Sequence, residues 1–412
     1  CNSFNIYTIK TDRFKTSHLE VIFKNVLKKE EIGTYSFLAD MLSEGCKKYP
    51  RKKDLITRFE ELYKIVIYAS TMRVGNVIDL HFSLDFINPE YIEDEGYIED
   101  VIKTLFEVIL NPNVCNDEFD LKTFNIVKER LRREINSLKE NPVKQSIKEA
   151  IKTMDSNSPT SYEILGTIEE LENITPAKLY NAYKSLRKNF KVDVFLIGNL
   201  DMDNVASLIK KYFKNRYIVS DNFEVMVDNK ETKKVKEKAM KSDNIQTNLV
   251  MLFNLKNLSE LEKNITLNCF NYLYGSGGLT SKLYKSIREE NSLCYAINSM
   301  YLKYDKLLMV QISLDNCNVK KAISLVKKEL KSMQNGNFSE EEVRDAINNM
   351  VISLDMSLDN NIAILNNYVF NIYDKLPSIE ERKEYFKKLT KEDIVNVSKK
   401  VKLNTIFTLE GR

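Results

Sequence analysis

The two halves of the chain repeat one order of segments. Near the end of the first half, residues 174–179 begin a predicted helix, and the apolar run 192–198 after it predicts a buried strand. Residues 389–394 and 403–409 repeat this order roughly 215 positions later, at the end of the 412 residues. Because this spacing far exceeds the periods of solenoid repeats, the repeat predicts two similar domains.

Strands and amphipathic helices follow one another within each half. Residues 6–10, 19–23, 65–70 and 77–84 have the apolar alternation that is typical of strands. A long amphipathic helix is predicted by apolar residues that recur every three or four positions, at Phe124, Val127, Leu131, Ile135 and Leu138. We therefore expect an α+β protein with two homologous domains, each a mostly antiparallel sheet covered by helices.

The Lys-rich segment 229–243 shows no clear hydrophobic periodicity, so it is the predicted linker between the domains. This divides the chain into an N-terminal domain, residues 1–228, and a C-terminal domain, residues 244–412.

The composition of the chain argues against nucleic acid and membranes as partners. Sixty-two Lys and Arg stand against 59 Asp and Glu, and this near balance argues against a nucleic-acid partner, which usually requires a one-sided excess of basic residues. No apolar run approaches the roughly 20 residues of a membrane helix, so we expect no membrane association.

The six cysteines include no C-x-x-C pair, which is typical of reduced thiols in the cytoplasm. A chain that begins at Cys1 could carry a lipid there, but strand-like sequence follows almost at once and favours a trimmed N-terminus.

One helical segment after a glycine has the apolar frame of a metallopeptidase motif. Residues 33–42 read G-T-Y-S-F-L-A-D-M-L. The segment resembles the zinc helix of the pitrilysin/insulinase-like metallopeptidases, in which an H-x-x-E-H motif holds the ion. The resemblance covers nearly the whole chain. It is strongest to bacterial non-catalytic partner subunits of that family, which are similar to the subunits of mitochondrial processing peptidase.

The resemblance also implies that the zinc chemistry is missing. Ser36 and Asp40 stand where the two histidine ligands would be, and Ala39 stands where the general-base glutamate would be. Histidines four positions apart share one helix face and bind one ion, whereas serine is a poor zinc ligand and alanine cannot accept a proton. Glu134 matches the family's third ligand. It could hold a weakly bound ion together with Asp40, or it could simply pair with neighbouring arginines.

The second half keeps two residues of the family's active chamber. In the stretch S-I-R-E-E-N-S-L-C-Y, Arg288 and Tyr295 match an Arg/Tyr pair that reaches from the second domain to the substrate. A guanidinium and a phenol can donate hydrogen bonds to the carbonyl under attack and stabilise the developing oxyanion. Without the resemblance, the same two residues would be interpreted as a surface arginine and a hairpin core tyrosine.

A helix is predicted at 281–290, and the loop before it contains three glycines. Residues 275–278 read G-S-G-G and lack the pattern of a phosphate-binding loop. A helix-terminating turn is one interpretation. The other comes from the resemblance, because a longer glycine-rich loop at this place in mitochondrial processing peptidase contacts substrate, which would assign peptide binding to Gly277 and Gly278.

Together these observations predict the non-catalytic half of a two-subunit zinc peptidase, in which two domains form half of a clamshell. We expect no cofactor on this chain, because the resemblance implies a partner subunit that carries H-x-x-E-H and the zinc. The substrate would be a peptide bound as an added strand. The alternatives are a peptide-binding or scaffolding protein, a homodimer instead of a heterodimer, and an autonomous enzyme with a metal bound by Asp40, Glu134 and His81.

Overall fold

The computed structural model describes residues 4–214 and 223–412, and Cys1 lies outside these ranges. The chain divides into two compact units. Unit 1 is made of Cys1–Asn136, Tyr162–Val225 and Leu358–Tyr373, and unit 2 is made of Ser137–Ser161, Met226–Ser357 and Asp374–Arg412.

The elements follow the predicted alternation of strands and helices. In the first half they are β1 (Asn5–Lys10), β2 (Thr16–Val26), α1 (Ile32–Leu42), α2 (Lys52–Glu61), β3 (Val66–Val74), β4 (Val77–Ile87), α3 (Tyr97–Leu110), β5 (Val114–Cys115), β6 (Glu118–Phe119), α4 (Leu121–Glu140), α5 (Pro142–Asp155), α6 (Ile168–Glu172), α7 (Pro176–Asn189), β7 (Lys191–Gly198) and α8 (Met202–Tyr212). In the second half they are β8 (Lys236–Lys241), β9 (Thr247–Leu255), α9 (Leu267–Asn271), β10 (Cys294–Leu302), β11 (Leu307–Leu314), α10 (Val319–Gln334), α11 (Glu340–Met356), α12 (Asn361–Asp374), α13 (Ile379–Lys387), α14 (Lys391–Ser398) and β12 (Val401–Glu410).

The main sheets of the two units have equivalent topologies. Unit 1 has the strand order β1-β7-β2-β4-β3, and unit 2 has the order β8-β12-β9-β11-β10. In each sheet the first pair is parallel and the other pairs are antiparallel. The predicted α+β fold with two similar, mostly antiparallel sheets is therefore confirmed.

One face of the unit 1 sheet packs on helices of the first half. Successive strand residues point to opposite faces, so Leu19, Val21 and Phe23 of β2 share this face with Leu80 and Phe82 of β4. Buried side chains of α1, α3, α4 and α7 complete this core. The helices start at ordinary signals, such as the Thr175 side chain that accepts from the Lys178 amide at the N-terminus of α7.

The other face of each sheet is covered by a helix from the opposite half of the sequence. Helix α12 packs on the unit 1 sheet through Ile364, Leu365 and Val369. Helix α5 packs on the unit 2 sheet through Ala150 and Met154. The compact units therefore interleave along the chain, whereas the predicted domains follow the sequence repeat.

The segment predicted as a linker contains a strand. Lys236–Lys241 forms β8, which pairs in parallel with β12 at the edge of the unit 2 sheet. Its residues are almost all exposed, and Met240 packs only partly on the cluster formed with α5. A short edge strand of this kind needs little apolar alternation. The strand therefore gave no hydrophobic signal.

The helical region around α9 has a mixed hydrogen-bond pattern. Helix α9 is flanked by π-helical segments, Glu262–Thr266 and Tyr272–Ser276. A third π-helical segment, Tyr284–Glu289, occupies most of the helix predicted at 281–290. Within residues 4–214 and 223–412, none of the helices combines the length and apolar character that a membrane span requires.

Candidate functional site

Ser36, the first position of the degenerate zinc motif, forms hydrogen bonds within unit 1. Its side chain is buried in α1, and its hydroxyl donates to the carbonyl of Ile164. The Thr71 hydroxyl of β3 lies 2.7 Å from the Ser36 Oγ, and it is the donor because Ser36 has a single hydroxyl proton. The hydroxyl at this position therefore joins α1 to β3 and to the segment before α6.

The other two motif positions are also accounted for within unit 1. Ala39 is 1% exposed and lies in the hydrophobic core. Asp40 accepts from Arg130 Nη2 of α4 at 3.2 Å, and the same guanidinium donates to Glu44 through Nη1 at 2.8 Å. Burial raises the pKa of Asp40, while the Arg130 cation acts in the opposite direction. An arginine cation thus neutralises the carboxylate at the position of the second metal ligand.

Glu134 lies one turn after Arg130 on α4 and is exposed. The expected pairing of Glu134 with neighbouring arginines is wrong, because those arginines have other partners. Arg130 binds Asp40 and Glu44, and Arg132 binds Glu129 and Glu172, while no ion pair among the described residues includes Glu134.

His81 cannot join Asp40 and Glu134 around an ion. It alternates with Leu80 and Phe82, which face the core shared with α1 and α4, so its side chain lies on the opposite side of the sheet. In the parts of the chain that the structure describes, no group of three or more His, Cys, Asp or Glu side chains is arranged to hold a metal ion. The alternative of an autonomous metalloenzyme with these three ligands is therefore wrong.

Arg288 and Tyr295 of unit 2 are both accessible to solvent. Arg288 is exposed in the segment Tyr284–Glu289, and its guanidinium lies 5.1 Å from the ring centroid of Tyr284. Burial raises the pKa of the Cys294 thiol, and the charge of Arg288 opposes this effect. The guanidinium therefore acts on the residue that immediately precedes Tyr295.

Tyr295 occupies a bulge near the start of β10. The pairing with β11 passes from Cys294 opposite Leu314 to Ala296 opposite Ser313, which leaves Tyr295 as the extra residue. Tyr295 is 53% exposed, so the alternative interpretation as a hairpin core tyrosine is wrong. The phenol donates to Asp315 Oδ1 at 3.0 Å, and this bond raises the pKa of Tyr295.

Strand β10 is an edge strand of the unit 2 sheet. It pairs with β11 on one side, and no described strand pairs with its other side. An edge of this kind presents backbone N–H and C=O groups to which an extended peptide can add.

The glycines of the loop 275–278 have a structural explanation. A Cβ at position 275 would lie 2.6 Å from the Ser299 Oγ, and a Cβ at position 277 would lie 2.6 Å from the Tyr272 carbonyl oxygen. Gly278 has a φ of +60°, which favours glycine, although there is open space around it. Peptide binding at Gly277 and Gly278 stays a prediction.

Some relevant residues were not apparent from the sequence. Arg130 and Asp315 carry no motif, and only the fold places them beside Asp40 and Tyr295. The two histidines, His18 and His81, are far apart in the sequence, but β2 and β4 bring both onto one buried face. The available signal was the strict polar alternation of β4, which normally predicts an exposed face.

Comparisons with known proteins agree with this architecture. Residues 173–350 match the family model described as the peptidase M16 inactive domain. The probable inactive metalloprotease YmfF of Bacillus subtilis (strain 168) is 26% identical over 414 residues, which covers 98% of this chain and 95% of that protein.

Solved structures share the fold at low sequence identity. A conserved protein from Enterococcus faecalis V583 superposes with a TM-score of 0.94 at 23% identity, over 100% of this chain and 97% of that chain. A peptidase M16 inactive domain from Pseudomonas fluorescens superposes with a TM-score of 0.81 at 17% identity, over 99% of this chain and 96% of that chain.

Proposed function

Because the chain belongs to the peptidase M16 family as an inactive homologue, we propose that it is the non-catalytic subunit of a two-subunit zinc peptidase. In this proposal a partner subunit supplies the H-x-x-E-H helix and the zinc ion. The present chain supplies part of the substrate chamber, together with Arg288 and Tyr295, which act in trans on the bound peptide.

One contrast between the two units carries the proposal. In unit 1 the motif positions are internally satisfied, since Ser36 bonds to Thr71 and Asp40 pairs with Arg130. In unit 2 the side chains of Arg288 and Tyr295 are exposed and can reach a ligand. The proposal requires this exposure, because both groups have to contact a bound peptide.

The chemistry proposed for the pair is electrostatic. When water attacks a peptide carbonyl, negative charge develops on the carbonyl oxygen, and positioned donors stabilise that charge more than they stabilise the neutral substrate. Arg288 is a permanent cation with several N–H donors, and Tyr295 has one O–H donor. In the partner's site, zinc would activate the attacking water.

The proposed substrate is a peptide in extended conformation. The open edge of β10 offers main-chain hydrogen bonds, which give affinity with little demand on sequence. Tyr295 lies near the start of that edge, so a peptide paired with β10 would pass close to its phenol. We further propose a cytoplasmic location, because six cysteines without a C-x-x-C pair are typical of reduced thiols.

A second candidate function is peptide binding or scaffolding without a catalytic contribution. The observation that favours it is that both side chains already have internal contacts. The Tyr295 phenol donates its proton to Asp315, and the Arg288 guanidinium lies over the Tyr284 ring. These contacts must be exchanged before either group can donate to a substrate.

The test is reconstitution with a partner. The chain would be purified alone and together with a co-expressed product of a neighbouring gene that carries H-x-x-E-H, and a quenched fluorescent peptide would report hydrolysis. We expect no hydrolysis by the lone chain and chelator-sensitive hydrolysis by the pair. Chelator-sensitive activity of the lone chain would refute the proposal, as would a neighbour that is equally active without it. A homodimer would appear as a single species of twice the mass in light scattering of the lone chain.

A further inference from the structure

A row of alternating imidazoles and carboxylates crosses the α12-covered face of the unit 1 sheet. His18 Nδ1 lies 2.7 Å from Asp85 Oδ1, and His18 Nε2 lies 3.7 Å from Glu20 Oε2. His81 Nδ1 lies 2.5 Å from the other oxygen of Glu20, and His81 Nε2 lies 3.9 Å from Asp79 Oδ2. We call these five residues the imidazole–carboxylate row.

The imidazole–carboxylate row runs from a partly exposed carboxylate at one end to helix α12 at the other. At one end, the Asp85 side chain is 34% exposed. At the other end, Asp79 is fully buried and accepts a hydrogen bond of 2.7 Å from the Tyr373 hydroxyl of α12. A change in protonation can therefore enter at Asp85 and alter the bond that holds the C-terminal end of α12.

The other charged groups on this face belong to β2 and β7. Lys24 of β2 pairs with Asp193 of β7, and both side chains are buried. The Lys24 ammonium also lies 5.4 Å from the ring centroid of Tyr373. Lys191 of β7 lies opposite Lys24 on the same face and is also buried. With both imidazoles protonated, four cations face four carboxyl groups; with both neutral, only Lys24 and Lys191 do.

Burial of unbalanced charge is what couples protonation to the helix. Helix α12 excludes water from this face by packing Ile364, Leu365 and Val369 against the sheet. Four carboxyl groups beside two cations in a site with little water repel one another and lack solvation. Separation of α12 from the sheet would admit water and relieve that cost.

We propose that the imidazole–carboxylate row is a proton-dependent fastening for α12. The helix stays docked while His18 and His81 are protonated, and it separates from the sheet more often when they lose their protons.

The direction of the pH dependence follows from the groups around each imidazole. Burial lowers the pKa of His18, but the hydrogen bond to Asp85 and the charge of the nearby Glu20 carboxylate outweigh burial and raise the pKa to about 9. Burial also lowers the pKa of His81, but the contact with Glu20 outweighs burial and raises this pKa. Burial raises the pKa of the Asp79 carboxyl. Because the folded-state pKa exceeds the ordinary value of 6.5, the stabilisation is complete below pH 6.5 and is lost as the pH rises through about 9.

Nuclear magnetic resonance of the two histidine rings tests the first part of the proposal. The chain has only two histidines, so each ring signal can be assigned with one variant, His18→Gln or His81→Gln. We expect His18 to titrate at about pH 9 in the wild-type chain. Titration of both rings near the ordinary value of 6.5 in the folded protein would overturn the proposal.

Hydrogen exchange tests the coupling to α12. The measured quantity is the exchange rate of α12 relative to that of α8 in the same unit, because intrinsic exchange rises with pH in both helices. We expect this ratio to increase above pH 8.5, by up to about tenfold per pH unit for each proton released. Tyr373→Phe should raise the ratio already at pH 7, whereas Tyr368→Phe, at an exposed tyrosine of the same helix, should not. A ratio that stays constant from pH 7 to pH 9.5 in the folded wild-type chain would overturn the proposal.

Discussion

Replacement of Lys24 by methionine tests whether the charged face of unit 1 is as buried as the fold implies. The Lys24 and Asp193 side chains are 3% and 1% exposed, and Asn5 donates to Asp193 Oδ1 at 2.7 Å. Lys24→Met keeps the apolar stem but leaves the Asp193 carboxylate without its cation. Removal of one partner from a buried ion pair costs about 3–5 kcal/mol of folding free energy.

The double variant Lys24→Met/Asp193→Asn separates this charge effect from packing. It removes both charges, and an asparagine at position 193 can still accept a hydrogen bond from Asn5. Since a buried pair replaced by uncharged groups is often nearly neutral, we expect the double variant to recover at least half of the loss. Lys53→Met in α2, at an exposed lysine, is the matched control and should change stability by less than about 0.5 kcal/mol.

Urea denaturation at pH 7, followed by circular dichroism, measures these differences from the unfolding midpoints. Because the two units can unfold separately, the unfolding of each unit should also be followed by a spectroscopic signal that reports on that unit alone. A loss below about 1 kcal/mol for Lys24→Met would refute the reasoning, because it would mean that water reaches Asp193 and that α12 does not seal this face.

Three further predictions concern both units. Gly275→Ala should lower the unfolding free energy of unit 2 by about 1–3 kcal/mol in urea titrations, because the new methyl would overlap the Ser299 hydroxyl. Arg130→Met should cost no more than about 1 kcal/mol in the same assay, because the arginine side chain is 42% exposed. Asp315→Asn should lower the pKa of Tyr295 towards its ordinary value; ultraviolet titration against Tyr295→Phe as the blank measures this, and an unchanged pKa would show that the hydrogen bond is absent in solution.

The repeat and the hydrophobic periodicity were sufficient to predict most of the fold. Strands such as β2 and β4 alternate, and α4 has a long apolar stripe, so local patterns identify them. Strand β8 was missed because it lies at an edge and almost all of its residues are exposed. The packing of α5 on the unit 2 sheet and of α12 on the unit 1 sheet was missed. An amphipathic helix shows which of its faces is buried but not which sheet it packs on.

The candidate site was predictable where it rests on a motif. Two short segments resemble motifs of the metallopeptidase family, and this resemblance identified Ser36, Ala39, Asp40, Arg288 and Tyr295. The ion pair of Asp40 with Arg130 and the pairing of the two histidines through Glu20 depend on contacts between distant segments. The alternating polar residues of β4 are typical of a strand with one solvated face, whereas α12 from the end of the chain contributes to the burial of that face.

The most direct test of the proposed function is the turnover number of a reconstituted pair that contains the double variant Arg288→Ala/Tyr295→Phe. Arg344→Ala/Tyr385→Phe, at an exposed arginine and an exposed tyrosine of the same unit, is the matched control. If each residue donates to the developing oxyanion, loss of one donor lowers kcat by about 10²–10³-fold. We therefore expect the double variant to lower kcat by at least that factor, with assembly of the pair unchanged. An assembled pair whose kcat is the same with the double variant, the control and the wild-type chain would contradict a catalytic contribution and leave the scaffolding role.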